Sequence, residues 1–226
     1  MDAQRDALRG VAAELSRSIS KGTTLGLGSG STVSVLIEEL APLLPRGEVN
    51  GVPTSTQIEM VAKKSGIGLV PFAGEVDLVL DGADQVDPRL NLIKGGGGAL
   101  LREKVLMSGA RRSVIVAAEG KFAERLCEKG VKVPVEVLPM ARESVKARLS
   151  KLGTPQERLL PKGYPFFTEN GNIILDTEME PVSNPREKEL EIKSIPGVLE
   201  AGIFTFKPIT VYRLRRNGTY EKLQSR

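Results

Sequence analysis

Short apolar runs alternate with stretches of helical spacing through the first half of the chain, and this alternation limits the fold more than any other feature. The run TLGLG with its flanks (23–28) meets GSGST, and VSVLIEEL follows with helical character as far as Pro42 and Pro45. A strand at 49–53, a helix from Thr54 or Ser55 to about Ser65 and a strand at 67–71 come next. Beyond them stand the strand VDLVL (76–80), the helix ALLREKVLM (99–107) and the strand SVIVAA (113–118). The pattern predicts parallel βαβ units, hence an α/β fold: a Rossmann-like, mostly parallel sheet with helices on both faces. An amphipathic helix over 3–19 opens the chain. Ala7, Leu8, Val11, Ala12, Leu15 and Ile19 share one side, with Arg5, Arg9, Glu14 and Arg17 largely on the other.

Near residue 130 the pattern changes. Strand-like VKVPVEVL and NIILDTE flank the helix-like ARESVKARLSKL, and PREKELEIKS precedes VLEAGIFTF, which together predict a small inserted α+β domain. The end of the chain, ITVYRLRR, an Asn217-Gly218 turn and TYEKL, reads as a hairpin returning to the main sheet. The expected division is 1–129 with 206–226 for the Rossmann-like domain and 130–205 for the small one.

Composition removes several chemistries. The 226 residues include no histidine, so no Ser-His-Asp or Cys-His scheme can operate, and acid–base work falls to carboxylates and lysines. With Cys127 the one cysteine, His/Cys zinc sites are excluded and no internal disulfide can form. Any metal site would have to be all oxygen, and Asp81, Asp84 and Asp87 are three apart, whereas a calcium loop needs alternate positions. A net charge of +4, from 32 basic and 28 acidic residues, with 4% aromatics gives little for nucleic acid to bind. Arg111, Arg112, Arg215 and Arg216 read as a solvated face. No apolar run reaches the roughly 18 residues of a membrane span, and MDAQRDALRGVAAELS is too polar for a signal peptide, so a cytoplasmic protein is expected.

Two glycine-rich turns carry the chemistry. In the first, Gly26, Gly28 and Gly30 allow a tight bend while Ser29, Ser31 and Thr32 offer hydroxyls at a helix start, where free N–H groups and the helix dipole attract an anion. A dinucleotide fingerprint would need glycine at Val33 and a P-loop would need Gly-Lys-Ser/Thr, so a phosphate monoester fits best. The plainer alternative is a tight connection with a capped helix. The second stretch, DGADQVDPRLNLIKGGGGALLREK (81–104), follows an apolar strand. Asp81 and Asp84 lie at the strand's carboxyl end, where open α/β sheets place ligands, though an Asx turn is the alternative there. Lys94 with Gly95, Gly96, Gly97 and Gly98 can gather charge and backbone donors on one substrate oxygen, unless the glycines form only a flexible loop. Glu103, between Arg102 and Lys104, reads as a surface glutamate unless the glycines tuck its turn into a cleft, where it would suit a general base. Lys121, also past a strand's end, is either a phosphate contact or a solvated lysine.

These segments resemble one family, the type A ribose-5-phosphate isomerases. GLGSGSTV, TSTQ, DGADQVD, LIKGGGGALLREK, VIVAAEGK, PVEVLPMA, NIILDTE and IPGVLEAGIF match in that order over nearly the whole chain. The resemblance implies a Rossmann-like domain with a smaller α+β insertion, and an enzyme of the non-oxidative pentose phosphate pathway. It interconverts ribose 5-phosphate and ribulose 5-phosphate without metal or organic cofactor, as a homodimer or homotetramer. Carried onto this chain, Glu103 shuttles the proton between C1 and C2 and Asp81 handles hydroxyl protons and ring opening. Asp84 and Lys94 orient the sugar and steady a cis-enediolate. Ser29, Gly30, Ser31, Thr32 and Lys121 hold substrate and phosphate, with Gly82, Ala83, Gly95, Gly96 and Gly97 also at the substrate. Gln85 stands where the family commonly has an acid, and Arg5 and Arg9 are the cations on the first helix, where the family often uses a lysine.

Overall fold

A computed structural model describes residues 2–45 and 47–225. In chain order it contains α1 (Asp2–Ser16), β1 (Thr24–Leu27), α2 (Ser31–Leu40), β2 (Asn50–Pro53), α3 (Thr56–Lys64), β3 (Gly68–Leu69) and β4 (Val76–Gly82). The short strands β5 (Gln85–Val86) and β6 (Leu92–Ile93) come next, then α4 (Leu100–Ser108) and β7 (Ala110–Ala118). Beyond these lie β8 (Val133–Val137), α5 (Arg142–Leu149), β9 (Thr154–Glu157), β10 (Ile173–Glu178) and α6 (Pro185–Lys193). The strands β11 (Val198–Ala201), β12 (Ile203–Phe204), β13 (Thr210–Leu214) and β14 (Tyr220–Gln224) complete the order. Two compact units result: one holds the residues up to Gly82, Arg102–Lys121 and those from Phe206 onward, the other Ala83–Leu101 and Phe122–Thr205. Residues 83–101 and 122–129, expected with the Rossmann-like part, thus pack in the second unit.

The first unit is built on a seven-stranded sheet in the order β14-β13-β7-β4-β1-β2-β3. Every neighbouring pair is parallel except β13 with β14, as expected for a final hairpin added to a Rossmann-like sheet. Alternation places Leu25, Leu27, Leu78, Leu80, Val114 and Val116 in one core, covered by Leu8 and Leu15 of α1, Leu36 and Ile37 of α2 and Ile58 of α3. The opposite face is also covered. A side chain at Gly26 would point there and meet Leu106 of α4 at 3.3 Å. The expected order of helices on both faces is therefore present. The hairpin is fastened to α1 by Glu14, which accepts hydrogen bonds from Tyr212 and Tyr220 at 2.9 Å each and from Lys222 at 2.8 Å.

In the second unit a four-stranded sheet, β11-β8-β10-β9, packs Val133, Val135, Val137, Ile173 and Leu175 against Val145, Leu149 and Ile192 of its two helices. Its pairs are antiparallel. The strand β9, whose sequence TPQE lacks apolar alternation, was not anticipated. It lies at the sheet's edge, where a proline and polar side chains cost little. A second, three-stranded sheet, β12-β6-β5, joins two-residue strands too short to leave a periodic signal.

Candidate active site

In the first unit the candidate residues Asp81 and Ser29 to Thr32 stand where parallel strands end. Asp81 lies in the last turn of β4, between β1 and β7, and is fully buried. Its Oδ1 accepts the Gly82 N–H at 2.7 Å. Gly28 donates to the Leu80 carbonyl at 2.9 Å, which draws the first glycine turn against β4. A Cβ at Gly28 would fall 2.1 Å from the Asp81 carboxyl, so only glycine lets this turn and this acid share the space.

The first turn then enters α2. Gly30, with φ of 106°, is the N-cap and supplies no side-chain cap, so the helix start keeps N–H groups for a ligand. Ser31 is exposed and Thr32 half-buried beside it. The Ser29 hydroxyl is engaged within the protein, 2.8 Å from Thr54 Oγ1 and 2.7 Å from Ser55 Oγ. Gln57 receives the Gly30 N–H at 3.3 Å and donates to Ser34 at 2.8 Å. Thr54, Ser55 and Gln57 form a support that the sequence reading did not assign, although the TSTQ segment was there to suggest it.

Glu103 sits in the first turn of α4 and is 4% exposed, with Lys104 equally buried. The surface reading suggested by its charged neighbours does not hold. Lys121, on the short turn after β7, is exposed. Arg5 and Arg9 are committed elsewhere: both pair with Glu39 of α2, at 2.5 and 3.1 Å, and so brace the two helices.

The second unit holds Asp84, Lys94 and the glycine loop. Asp84 donates its backbone N–H to Ile93 at 2.7 Å, and its Oδ2 accepts the Gly96 N–H at 2.8 Å. A Cβ at Gly96 would lie 2.9 Å from Asp84 Oδ1. Lys94 is 3% exposed, donates its N–H to Gly202 at 2.9 Å and places its ammonium 5.5 Å from the Phe204 ring centre. Lying next to the β6–β12 pairing, this lysine is fixed at its backbone by Gly202, with the Phe204 ring facing its ammonium. Gly82 and Ala83 are half-buried. Gln85 uses its amide both ways, accepting the Cys127 N–H at 2.6 Å and donating to the Glu128 carbonyl at 2.8 Å. A carboxylate there would lose the second bond. Burial pushes the Cys127 thiol up to about 11, which leaves it a neutral packing group. Among the described residues no group of three histidine, cysteine, aspartate or glutamate side chains is placed to hold a metal ion.

Buried carboxylates in the Rossmann-like unit and a buried lysine in the second, in a chain without imidazole, suit an enzyme that moves protons on a small anionic substrate. The family model of ribose 5-phosphate isomerase A (phosphoriboisomerase A) matches residues 50–218. A protein of Korarchaeum cryptofilum named ribose-5-phosphate isomerase A is 44% identical over 196 residues, covering 86% of this chain and 87% of its own. The structure of ribose 5-phosphate isomerase A from Methanocaldococcus jannaschii superposes with a TM-score of 0.88 at 35% identity, covering 99% of this chain and 98% of its own. A D-ribose-5-phosphate isomerase solved in complex with phospho-erythronic acid gives 0.89 at 33% identity, with the same coverage. The chain belongs to the ribose 5-phosphate isomerase A family, whose members are aldose–ketose isomerases.

Proposed function

We propose that the protein interconverts D-ribose 5-phosphate and D-ribulose 5-phosphate through a cis-enediolate, with Glu103 as the base. In the aldose-to-ketose direction the Glu103 carboxylate takes the C2 proton and delivers it to C1. Asp81 moves protons on the substrate hydroxyls and assists ring opening, and Asp84 orients the sugar. Lys94 and the N–H groups of the glycine loop balance the charge that develops on the enediolate oxygens. Preorganised donors of this kind are worth roughly 10²–10³ in rate each. The N-terminus of α2, with Ser31 and Thr32, holds the phosphate, and the exposed Lys121 adds a positive charge. Gly82, Ala83, Gly95, Gly96 and Gly97 contribute backbone contacts to the sugar.

The observation that carries this reading is the burial of Glu103, flanked in sequence by Arg102 and Lys104 yet 4% exposed, on the helix that directly follows the glycine loop. Ionisable side chains are rarely buried without a partner or a use, and a buried carboxylate in the turn just after a glycine loop is a candidate proton carrier. The phospho-erythronic acid bound by the related isomerase supports an acyclic sugar phosphate as substrate.

Among the described residues no helix is long and apolar enough to cross a membrane. A homodimer or homotetramer fits the exposed apolar side chains of Leu159, Tyr164 and Phe167 in the β9–β10 connection. Purified protein given ribose 5-phosphate, with and without chelator, should form ketose at equal rates. Absence of ketose in both would contradict the assignment.

A further inference from the structure

Arg158, just past β9, binds two parts of the second unit at once. Its Nε and Nη2 grip both oxygens of Asp176 on β10, at 2.8 and 2.5 Å. Its Nη1 donates to the carbonyls of Gly95 and Gly96, at 2.8 and 2.9 Å. The guanidinium carbon lies 5.7 Å from the Phe166 ring centre, and the side chain is 16% exposed.

A trans peptide points its C=O and N–H in opposite directions. Fastening the Gly95 and Gly96 carbonyls to one guanidinium therefore turns the N–H groups of Gly96 and Gly97 away from it. The Gly96 N–H meets Asp84 Oδ2 at 2.8 Å. Gly95, at φ of 105°, and the bond from the Gly98 N–H to its carbonyl at 3.0 Å close the turn. The Gly97 N–H shares the direction of its neighbour, and a Cβ at Gly97 would meet nothing within 4 Å. The space in front of this residue is open to a ligand.

We propose that Arg158 is a positioning residue for the isomerisation: with Asp176 it locks the Gly95 and Gly96 peptides so that the Gly97 N–H is presented to a substrate oxygen that gains negative charge. The inference rests on the reading of the glycine loop given above. Only a planar fork can serve a carboxylate and two carbonyls together, so lysine is not an equivalent. Asp176 also neutralises the guanidinium, leaving oriented peptide dipoles as the loop's contribution.

The test measures kcat and KM for ribose 5-phosphate, and the inhibition constants of 4-phospho-D-erythronate and inorganic phosphate, on the full-length parent, Arg158→Lys and Asp176→Asn, with thermal unfolding of each. The lysine variant should lose about tenfold to a hundredfold in kcat with KM within about threefold. Inhibition by the aldonate should weaken in parallel while that by inorganic phosphate stays put, and Asp176→Asn should follow in the same direction by less. If the lysine variant does not fold, Asp176→Asn carries the same comparison. Folded variants whose kcat and aldonate affinity stay within about twofold of the parent would overturn the positioning role. So would a loss shared equally by inorganic phosphate, which would mark Arg158 as general support. A parent that neither isomerises ribose 5-phosphate nor binds the aldonate would instead bring down the functional reading, and is recognised before any variant is made.

Discussion

The two glycine turns solve one problem with different means. At 28–32 and at 95–98 alike, a glycine lets backbone come against a carboxylate: Gly28 against Asp81 and Gly96 against Asp84. The first turn is held by short neutral groups from the next βα connection, Thr54, Ser55 and Gln57. The second is held by a charged arm from far along the chain, Arg158 with Asp176. The first leaves a strand of the parallel sheet and is tied to the neighbouring strand β4 by the Gly28–Leu80 bond, so hydroxyls suffice to orient it. The second runs from the two-residue strand β6 to α4, and an ion pair takes the place of the missing sheet.

The comparison can be broken by substitution, beginning with the largest effect. Glu103→Gln keeps size and hydrogen-bonding reach but removes the proposed base, so kcat should fall by about a thousandfold or more with KM within a few fold. Steady-state kinetics with ribose 5-phosphate checks this. Gly28→Ala forces its methyl onto the fully buried Asp81 carboxyl, and we expect about a hundredfold loss of kcat with about 1–3 kcal/mol of destabilisation. Gly96→Ala, whose Cβ would meet the less enclosed Asp84 at 2.9 Å, should lose about tenfold and little stability. Equal effects at the two glycines would dissolve the distinction between a turn fixed by sheet and a loop fixed by one arginine.

Smaller effects sharpen it. Ser31→Ala with Thr32→Ala should raise KM by about tenfold and leave kcat within about threefold, since the phosphate is bound equally in ground and transition states. Glu14→Gln should cost about 1–2 kcal/mol at neutral pH by weakening the hold on the terminal hairpin. The hydrogen bond from Lys222 keeps the Glu14 carboxyl below its ordinary 4.5 despite the opposing effect of burial, with Tyr212 and Tyr220 adding to it. A carboxyl depressed in the folded state stabilises above its unfolded value, and that contribution fades as pH falls below about 4.5. The gap in melting temperature between parent and variant should therefore narrow in acid, as calorimetry at neutral and acid pH would show.

Strand and helix order was legible because the parallel sheet is buried on both faces, which prints apolar runs separated by amphipathic helices. The edge strand β9 and the two-residue strands β5, β6 and β12 left no comparable print. The burial of Asp81 and Lys94 fits their position after an apolar strand, which is what made them, with Asp84, candidates in the sequence. Glu103 was legible only conditionally, because Arg102 and Lys104 make it look like surface and its use as a base depended on the glycines tucking its turn inward. Arg158 could not be found at all from the sequence, since its partners at Gly95 and Gly96 are brought to it by the fold. The same holds for the engagement of Ser29 by Thr54 and Ser55, and for the capture of Arg5 and Arg9 by Glu39.

The most direct measurement of the central claim is proton exchange at the substrate itself. Ribose 5-phosphate incubated in deuterium oxide with the parent protein should take up deuterium at C2, seen by NMR, whereas Glu103→Gln should bind 4-phospho-D-erythronate with nearly parental affinity and leave C2 unlabelled. Labelling of C2 by the Glu103→Gln variant at the parent's rate would show that another group moves this proton.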